Sequence, residues 1–253
     1  MDVIIDKLRQ IEVDEDITIL YAAEAGSRAY GHYNEKSDYD IRFIYKHNNL
    51  SDYLTIDKKR DVYEFDDGEY DIVGWDIKKA LNLHYKSNPN LREWLISPVK
   101  YVPMEKDIFK DLPDFDKIVL KRYYYELARR HFNKYINQND ERSPTFYKKL
   151  VHTCRYILAW MLLDEDEYPS MRIEKLIEDN NLDKSLLDKL VKLKKCIITQ
   201  NTSFIGDNEA YFLIEWVSFY VEYMKEDSYD KKIIKDIEVY NERFRDIILC
   251  NDF

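Results

Sequence analysis

Three cysteines, Cys154, Cys196 and Cys250, lie far apart in 253 residues, and no two form a C-x-x-C pair. An odd, scattered set excludes a disulfide framework and reads as the reduced, structural thiols of a cytoplasmic protein. No run approaches the ~20 uncharged apolar residues of a membrane-spanning helix, so no membrane partner is expected. The stretch MDVIIDKLRQIEVDED lacks the basic and apolar regions of a secretory leader. An excess of positive charge is missing too, since the formal net charge is −10. Extended nucleic-acid binding draws its affinity from basic surfaces that release counterions. A small substrate, or a nucleic-acid end held locally, is therefore favoured. The five histidines show no metal-ligand spacing, so no zinc site is expected. There is no Gly-x-Ser-x-Gly elbow, no phosphate loop ending in Gly-Lys-Ser/Thr and no dinucleotide fingerprint. Internal repeats and low-complexity tracts are also absent.

What is present divides in two. With 45% hydrophobic and 35% charged residues, the chain can build one large or two small domains with real cores. Several of its 22 tyrosines sit in apolar runs, as core bodies with a wet hydroxyl. Val3, Ile4, Leu8 and Ile11 predict a short amphipathic helix, broken by Asp14 to Asp16. ITILYAAEAG is a buried strand ending at Gly26, and YDIRFIY alternates as a half-buried strand does. DVYEFDDGEYDIVGW reads as a hairpin turning at Asp67-Gly68. Asp76 caps a helix over IKKALNLHYKS, and Asn88 caps another that begins at Pro89. From about Asp116 onward strand signals vanish. Helices are expected over 117–137, 144–164, 170–180, 183–199, 207–226 and 229–249, punctuated by Pro144, Pro169 and Gly206. Phe212, Trp216, Phe219 and Tyr223 recur at helical spacing and read as bundle core. The expectation is an α+β module over residues 1–112 and an α-helical one over 113–253.

The chemistry concentrates in residues 24–45, EAGSRAYGHYNEKSDYDIRFIY. Gly26 lets the backbone approach a ligand, Ser27 adds a hydroxyl, and Arg28 adds a guanidinium suited to phosphate oxygens. Alternation in a strand puts Asp38, Asp40 and Arg42 on one face and Tyr39, Ile41, Phe43 and Tyr45 on the other. Two neighbouring carboxylates repel unless a cation sits with them. Mg2+, with Mn2+ as a substitute, is the natural candidate, because it takes carboxylate and phosphate oxygens together. Arg42 either contacts phosphate or neutralises the aspartates. A third carboxylate comes from the hairpin, where Glu69 and Asp71 share a face. Asp71, flanked by Ile72 and Val73, is the better placed of the two. Two metals would then clamp the attacking and leaving oxygens of an in-line displacement. Further along, Lys148, His152 and Arg155 fall on one helix face and either meet a nucleotide or acceptor phosphate or form an exposed basic stripe. Lys78 and Lys79, unfavourably placed in a first helical turn, either meet phosphate or form a solvated face.

Gly-Ser, a spacer of ten, Asp-x-Asp and a later acidic strand residue together resemble the pattern of DNA polymerase β-type nucleotidyltransferases. More narrowly, GSRAYG…SDYDIR followed by DIVGWDIKKALNL and NPNLREWL resembles the nucleotidyltransferases of bacterial RNA-repair and RNA-ligase systems. The resemblance spans about residues 19–100 and continues weakly into KKLVHTCRYIL and YPSMRIEKL. It implies a small mixed sheet flanked by helices, and a trailing helical domain forming the far wall of a cleft. It also implies Gly26 and Ser27 at the triphosphate and Asp38, Asp40 and Asp71 as catalytic metal ligands. The implied reaction moves a nucleoside monophosphate from an NTP such as ATP to an acceptor hydroxyl, with loss of pyrophosphate. The acceptor would be an RNA end, a protein hydroxyl or a small molecule. The alternative is a non-catalytic, nucleotide-binding partner of an RNA-repair or toxin-like protein. Base preference and oligomeric state stay open.

Overall fold

Ile4, Leu8 and Ile11 recur every three or four residues, and they are the buried positions of helix α1 (Asp2–Glu15). The computed structural model describes residues 2–57, 59–137, 142–224 and 234–249. Asp16, at φ 50°, turns the chain out of α1 into strand β1 (Ile17–Glu24). A short helix, α2 (Gly26–Tyr30), leads through a loop to β2 (Tyr39–His47). Next come the hairpin strands β3 (Val62–Asp66) and β4 (Tyr70–Asp76), joined through Gly68 at φ 87°. Asp67 Oδ1 accepts from the N–H groups of Glu69 and Tyr70, so Glu69 sits in the turn and only Asp71 lies within the strand.

Helices α3 (Ile77–Tyr85) and α4 (Pro89–Leu95) start at the expected caps. Asp76 accepts from Lys78 N–H and Asn88 from Leu91 N–H. A three-residue strand, β5 (Lys100–Val102), was not expected and closes the sheet in the order β3-β4-β2-β1-β5. Among the described residues β2 and β4 run parallel, and the other three pairings are antiparallel. Ile41, Phe43 and Tyr45 meet Ile4, Leu8 and Ile11 of α1 in one buried cluster. Tyr21 is buried as well, and its hydroxyl donates to Trp94 O at 2.6 Å.

Five helices follow: α5 (Lys117–His131), prolonged by a π-helical turn to Ile136, α6 (Pro144–Asp164), α7 (Ile173–Asp179), α8 (Lys184–Thr199) and α9 (Asp207–Tyr223). α6 is buried on nearly every side and packs against the other four, as a central bundle helix must. The last described helix, α10 (Ile237–Leu249), packs on α3, and Tyr240 Oη lies 3.0 Å from His84 Nδ1. The start of the expected 229–249 helix and Cys250 lie outside the described residues, while Cys154 and Cys196 are buried free thiols. Among the described residues no helix is long and apolar enough to cross a membrane.

The chain divides into two units, one of residues 1–29, 38–115 and 233–253, the other of residues 30–37 and 116–232. No single cut near residue 112 separates them. The mixed five-stranded sheet and the helical region together are the α+β class expected.

The aromatic stripe of α9 does not form core. Ala210, Leu213, Val217 and Val221 are buried instead, whereas Phe219 is 63% and Tyr223 51% exposed. Phe212 is also exposed and Trp216 only half-buried. Both stripes have helical spacing, so periodicity alone could not choose between them. The small aliphatic stripe allows the closer approach to a neighbouring helix. The aromatics pack on each other, Trp216 with Tyr220 at 4.8 Å, and Phe212 lies under Lys189 Nζ at 4.3 Å.

Candidate functional site

Asp40 stands opposite Asp71 in the parallel register of β2 and β4. Register, not sequence proximity, brings the two carboxylates together. Arg42, two residues along β2 on the same face, reaches back to both. Its Nη2 lies 3.1 Å from Asp40 Oδ1 and 2.8 Å from Asp71 Oδ2, and its Nη1 donates to Ile41 O at 3.0 Å and Asp71 O at 2.7 Å. The guanidinium is mostly buried, so this is a held fork and not a passing surface pair. Arg42 therefore pairs with both Asp40 and Asp71 and offsets one of their two negative charges.

Gly26 packs directly on the other carboxylate oxygen of Asp40. A Cβ there would sit 1.8 Å from Asp40 Oδ2, and the backbone is at φ 55°, which glycine adopts without cost. Ser27 is buried, and its Oγ has no hydrogen-bond partner among the described residues. Arg28 is directed elsewhere: its Nε donates to Asp38 O at 3.0 Å and its guanidinium stacks 3.8 Å from the Tyr39 ring. Asp38 itself is exposed, one residue before β2.

Two groups were missed in the sequence. Glu24, buried at the end of β1, accepts from Asp40 N–H at 2.8 Å and from the Tyr101 hydroxyl. Burial pushes its carboxyl up, against the pull of those two donors. A carboxylate closing an otherwise apolar strand was the available signal. The second is His32, considered below.

The donor set fits a hard divalent cation in type. Mg2+ is commonly held by one or two carboxylates plus substrate phosphates and water, without an all-protein cage. Asp40 and Asp71 are such a pair, with Asp38 nearby in sequence. Among the described residues no three His, Cys, Asp or Glu side chains are grouped to hold a metal. Arg42 is the cation the pair already shares.

Lys78 and Lys79 do not approach these aspartates. They line a cavity of about 500 Å³ at the opposite, C-terminal ends of β2 and β4, with His47, Tyr53, Arg60 and Asp76. Lys79 pairs there with Asp61 at 3.8 Å.

In the helical unit, Lys148 is exposed but Arg155 is buried, its guanidinium 3.7 Å from the Tyr30 ring. The exposed-stripe reading of Lys148, His152 and Arg155 therefore fails, because α6 turns Arg155 inward. His152 meets His32 edge to face at 4.8 Å and His131 at 6.3 Å, so three scattered histidines converge. Neither ring nitrogen of His32 has a partner among the described residues. Burial, reinforced by Arg155, Lys148 and Lys194, pulls its imidazole down to about 3.

An acid-lability follows, with its sign fixed. An unfolded imidazole takes up a proton below 6.5, whereas folded His32 resists until about 3. The neutral form's stabilisation is complete above the unfolded value and is lost as the pH falls through that window. Each such histidine costs about 1.4 kcal/mol per pH unit there, so about 2 kcal/mol between pH 6.5 and 5. Urea midpoints at pH 7 and pH 5 check this: His32→Asn should narrow the difference, and an unchanged gap would reject the assignment.

The family model RlaP, described as the RNA repair pathway DNA polymerase beta family, matches residues 1–244. YcgL of Bacillus subtilis (strain 168) is 34% identical over 171 residues, 64% of this chain. The chain spans 62% of that relative's length. A nucleotidyltransferase-like protein from Exiguobacterium sibiricum 255-15 is 10% identical, with a TM-score of 0.38 over 87% of this chain and 75% of that one. With a match that runs over residues 1–244, through sheet and helices alike, the chain belongs to the RNA repair pathway DNA polymerase β family.

Proposed function

We propose that this protein moves a nucleoside monophosphate from an NTP to an acceptor hydroxyl, releasing pyrophosphate. The observation that carries the reading is the Asp40–Asp71 pair with Gly26 packed against Asp40, followed in the chain by Ser27, whose buried Oγ has no hydrogen-bond partner among the described residues. Gly26 makes room for the Asp40 carboxylate against the turn, and Ser27 Oγ donates to a phosphate oxygen. Asp71 lies nearest the attacking hydroxyl, while Asp40 and Asp38 orient the triphosphate end. Glu24 holds the Asp40 backbone and thereby the carboxylate's aim. Mg2+, held by these aspartates, would supply charge neutralisation of the transferred phosphoryl group. Lys148 is the member of the α6 trio open to an incoming phosphate. The family's description favours an RNA end as acceptor, and the charge of −10 favours gripping it locally. Reduced, buried Cys154 and Cys196 accord with the cytoplasm.

One observation favours a second reading. Arg42 already engages both carboxylates and offsets one of their two charges, which suits a nucleotide-binding partner without turnover. Incubation with α-phosphate-labelled NTPs, Mg2+ or Mn2+ and cellular RNA separates the two. Label on RNA supports transfer. Nucleotide binding with no label on RNA, protein or small molecules, under either metal, rejects it.

A further inference from the structure

Four acceptors converge on one guanidinium: carboxylate oxygens of Asp40 and Asp71, and the carbonyls of Ile41 and Asp71. All four lie at the paired starts of β2 and β4, and Asp40 is pressed from the far side by Gly26. Asp40 thus cannot swing away from Arg42 without meeting backbone. A divalent cation approaching these carboxylates meets a fixed positive charge, and the fork takes one oxygen from each of them.

We propose that Arg42 is an internal competitor of the divalent cation: it holds the Asp40–Asp71 pair in the nucleotide-free protein and gives it up when metal arrives with a triphosphate. The proposal rests on the transferase reading of this site but concerns a property measurable without turnover. Arg42 acts here as a positioning residue, through the two aspartates. Its consequence is ordered loading. Metal alone binds weakly, because it must displace a charge-assisted fork. Metal carried by a triphosphate binds better, because the anion offers the released guanidinium a replacement partner and adds oxygens to the cation's shell. The fork thereby guards the carboxylates against free cations.

The test is Mn2+ binding to the full chain, read by electron paramagnetic resonance of free Mn2+, with and without a non-hydrolysable NTP analogue. Wild type should bind Mn2+ weakly alone and more tightly with the analogue. Arg42→Gln removes a unit charge a few ångströms from the cation, so its Mn2+ affinity without nucleotide should rise on the order of ten- to a hundredfold. Arg42→Lys keeps the charge but loses the fork and should fall between the two. Adding Asp71→Asn to Arg42→Gln should erase the gain. Equal or weaker Mn2+ binding by folded Arg42→Gln and Arg42→Lys overturns the proposal. If Arg42→Gln fails to fold, the lysine variant and the analogue dependence of wild type decide. Label transfer in the same preparations keeps the two readings apart. Transfer without any Arg42 effect on Mn2+ defeats this inference alone, and an Arg42 effect without transfer defeats the transferase reading alone.

Discussion

Asp40→Asn abolishes nucleotide transfer while the protein stays folded; this is the largest expected effect on activity. A carboxylate that helps hold metal supplies several kcal/mol of charge stabilisation, and about 4 kcal/mol corresponds to about three orders of magnitude in rate. The amide keeps the shape of the side chain and can still accept from Arg42, so circular dichroism and thermal unfolding should change little. Asp71→Asn should behave alike, and Asp38→Asn should follow if the exposed carboxylate joins the site when nucleotide is present. Glu69 sits in the turn next to Asp67, so Glu69→Gln serves as the control that retains activity. Label transfer from an α-labelled NTP checks the series. Full activity in Asp40→Asn, or its failure to fold, would remove the metal role from that residue.

Gly26→Ala carries the largest expected effect on stability. The new methyl would stand 1.8 Å from Asp40 Oδ2 and 3.2 Å from Asp40 Cβ, and φ at 55° disfavours any L side chain. Left-handed backbone costs a non-glycine residue about 1–2 kcal/mol, and overpacking about 1–3 kcal/mol more. Relief by rotation of Asp40 is blocked while Arg42 holds its other oxygen. At about 2–4 °C per kcal/mol for a chain of this size, the melting temperature should fall by about 10 °C. Differential scanning calorimetry reads it. A wild-type melting temperature would mean that the turn tolerates a side chain, and hence that the close approach is not needed. Transfer should fall with it, since displacement of Asp40 disturbs the pair as well as the turn.

Much of the sheet was legible because its signals are local. Asp38-Tyr39-Asp40-Ile41-Arg42 alternates with the period of a strand, and Asp67-Gly68 marks its own turn. The caps at Asp76 and Asn88 work within three residues of chain. What stayed hidden depends on distant pairing. Arg42 prefers Asp71 and Asp40 only because β2 and β4 run parallel in that register, which no window of sequence contains. β5 has three residues, too few for any periodicity. His32, His131 and His152 come from three separate stretches, and only the bundle makes them neighbours. On α9 the aromatic stripe was expected as core, but a small aliphatic stripe of the same period is buried instead, a choice set by the helices α9 packs against.

The return of α10 to the unit that holds the sheet bears on how the protein is made. Domains generally fold as units during synthesis, N-terminal ones first. Here α1 and all five strands leave the ribosome early, yet Tyr240, which covers His84, and Arg243, which donates to Ile108 O at 2.7 Å, emerge more than a hundred residues later. The helices of residues 116–224 can thus close their own core while the sheet unit still waits for its last piece. A nascent chain stalled before α10 would expose the α3 surface that α10 covers, making that interval the one in which a chaperone is most needed.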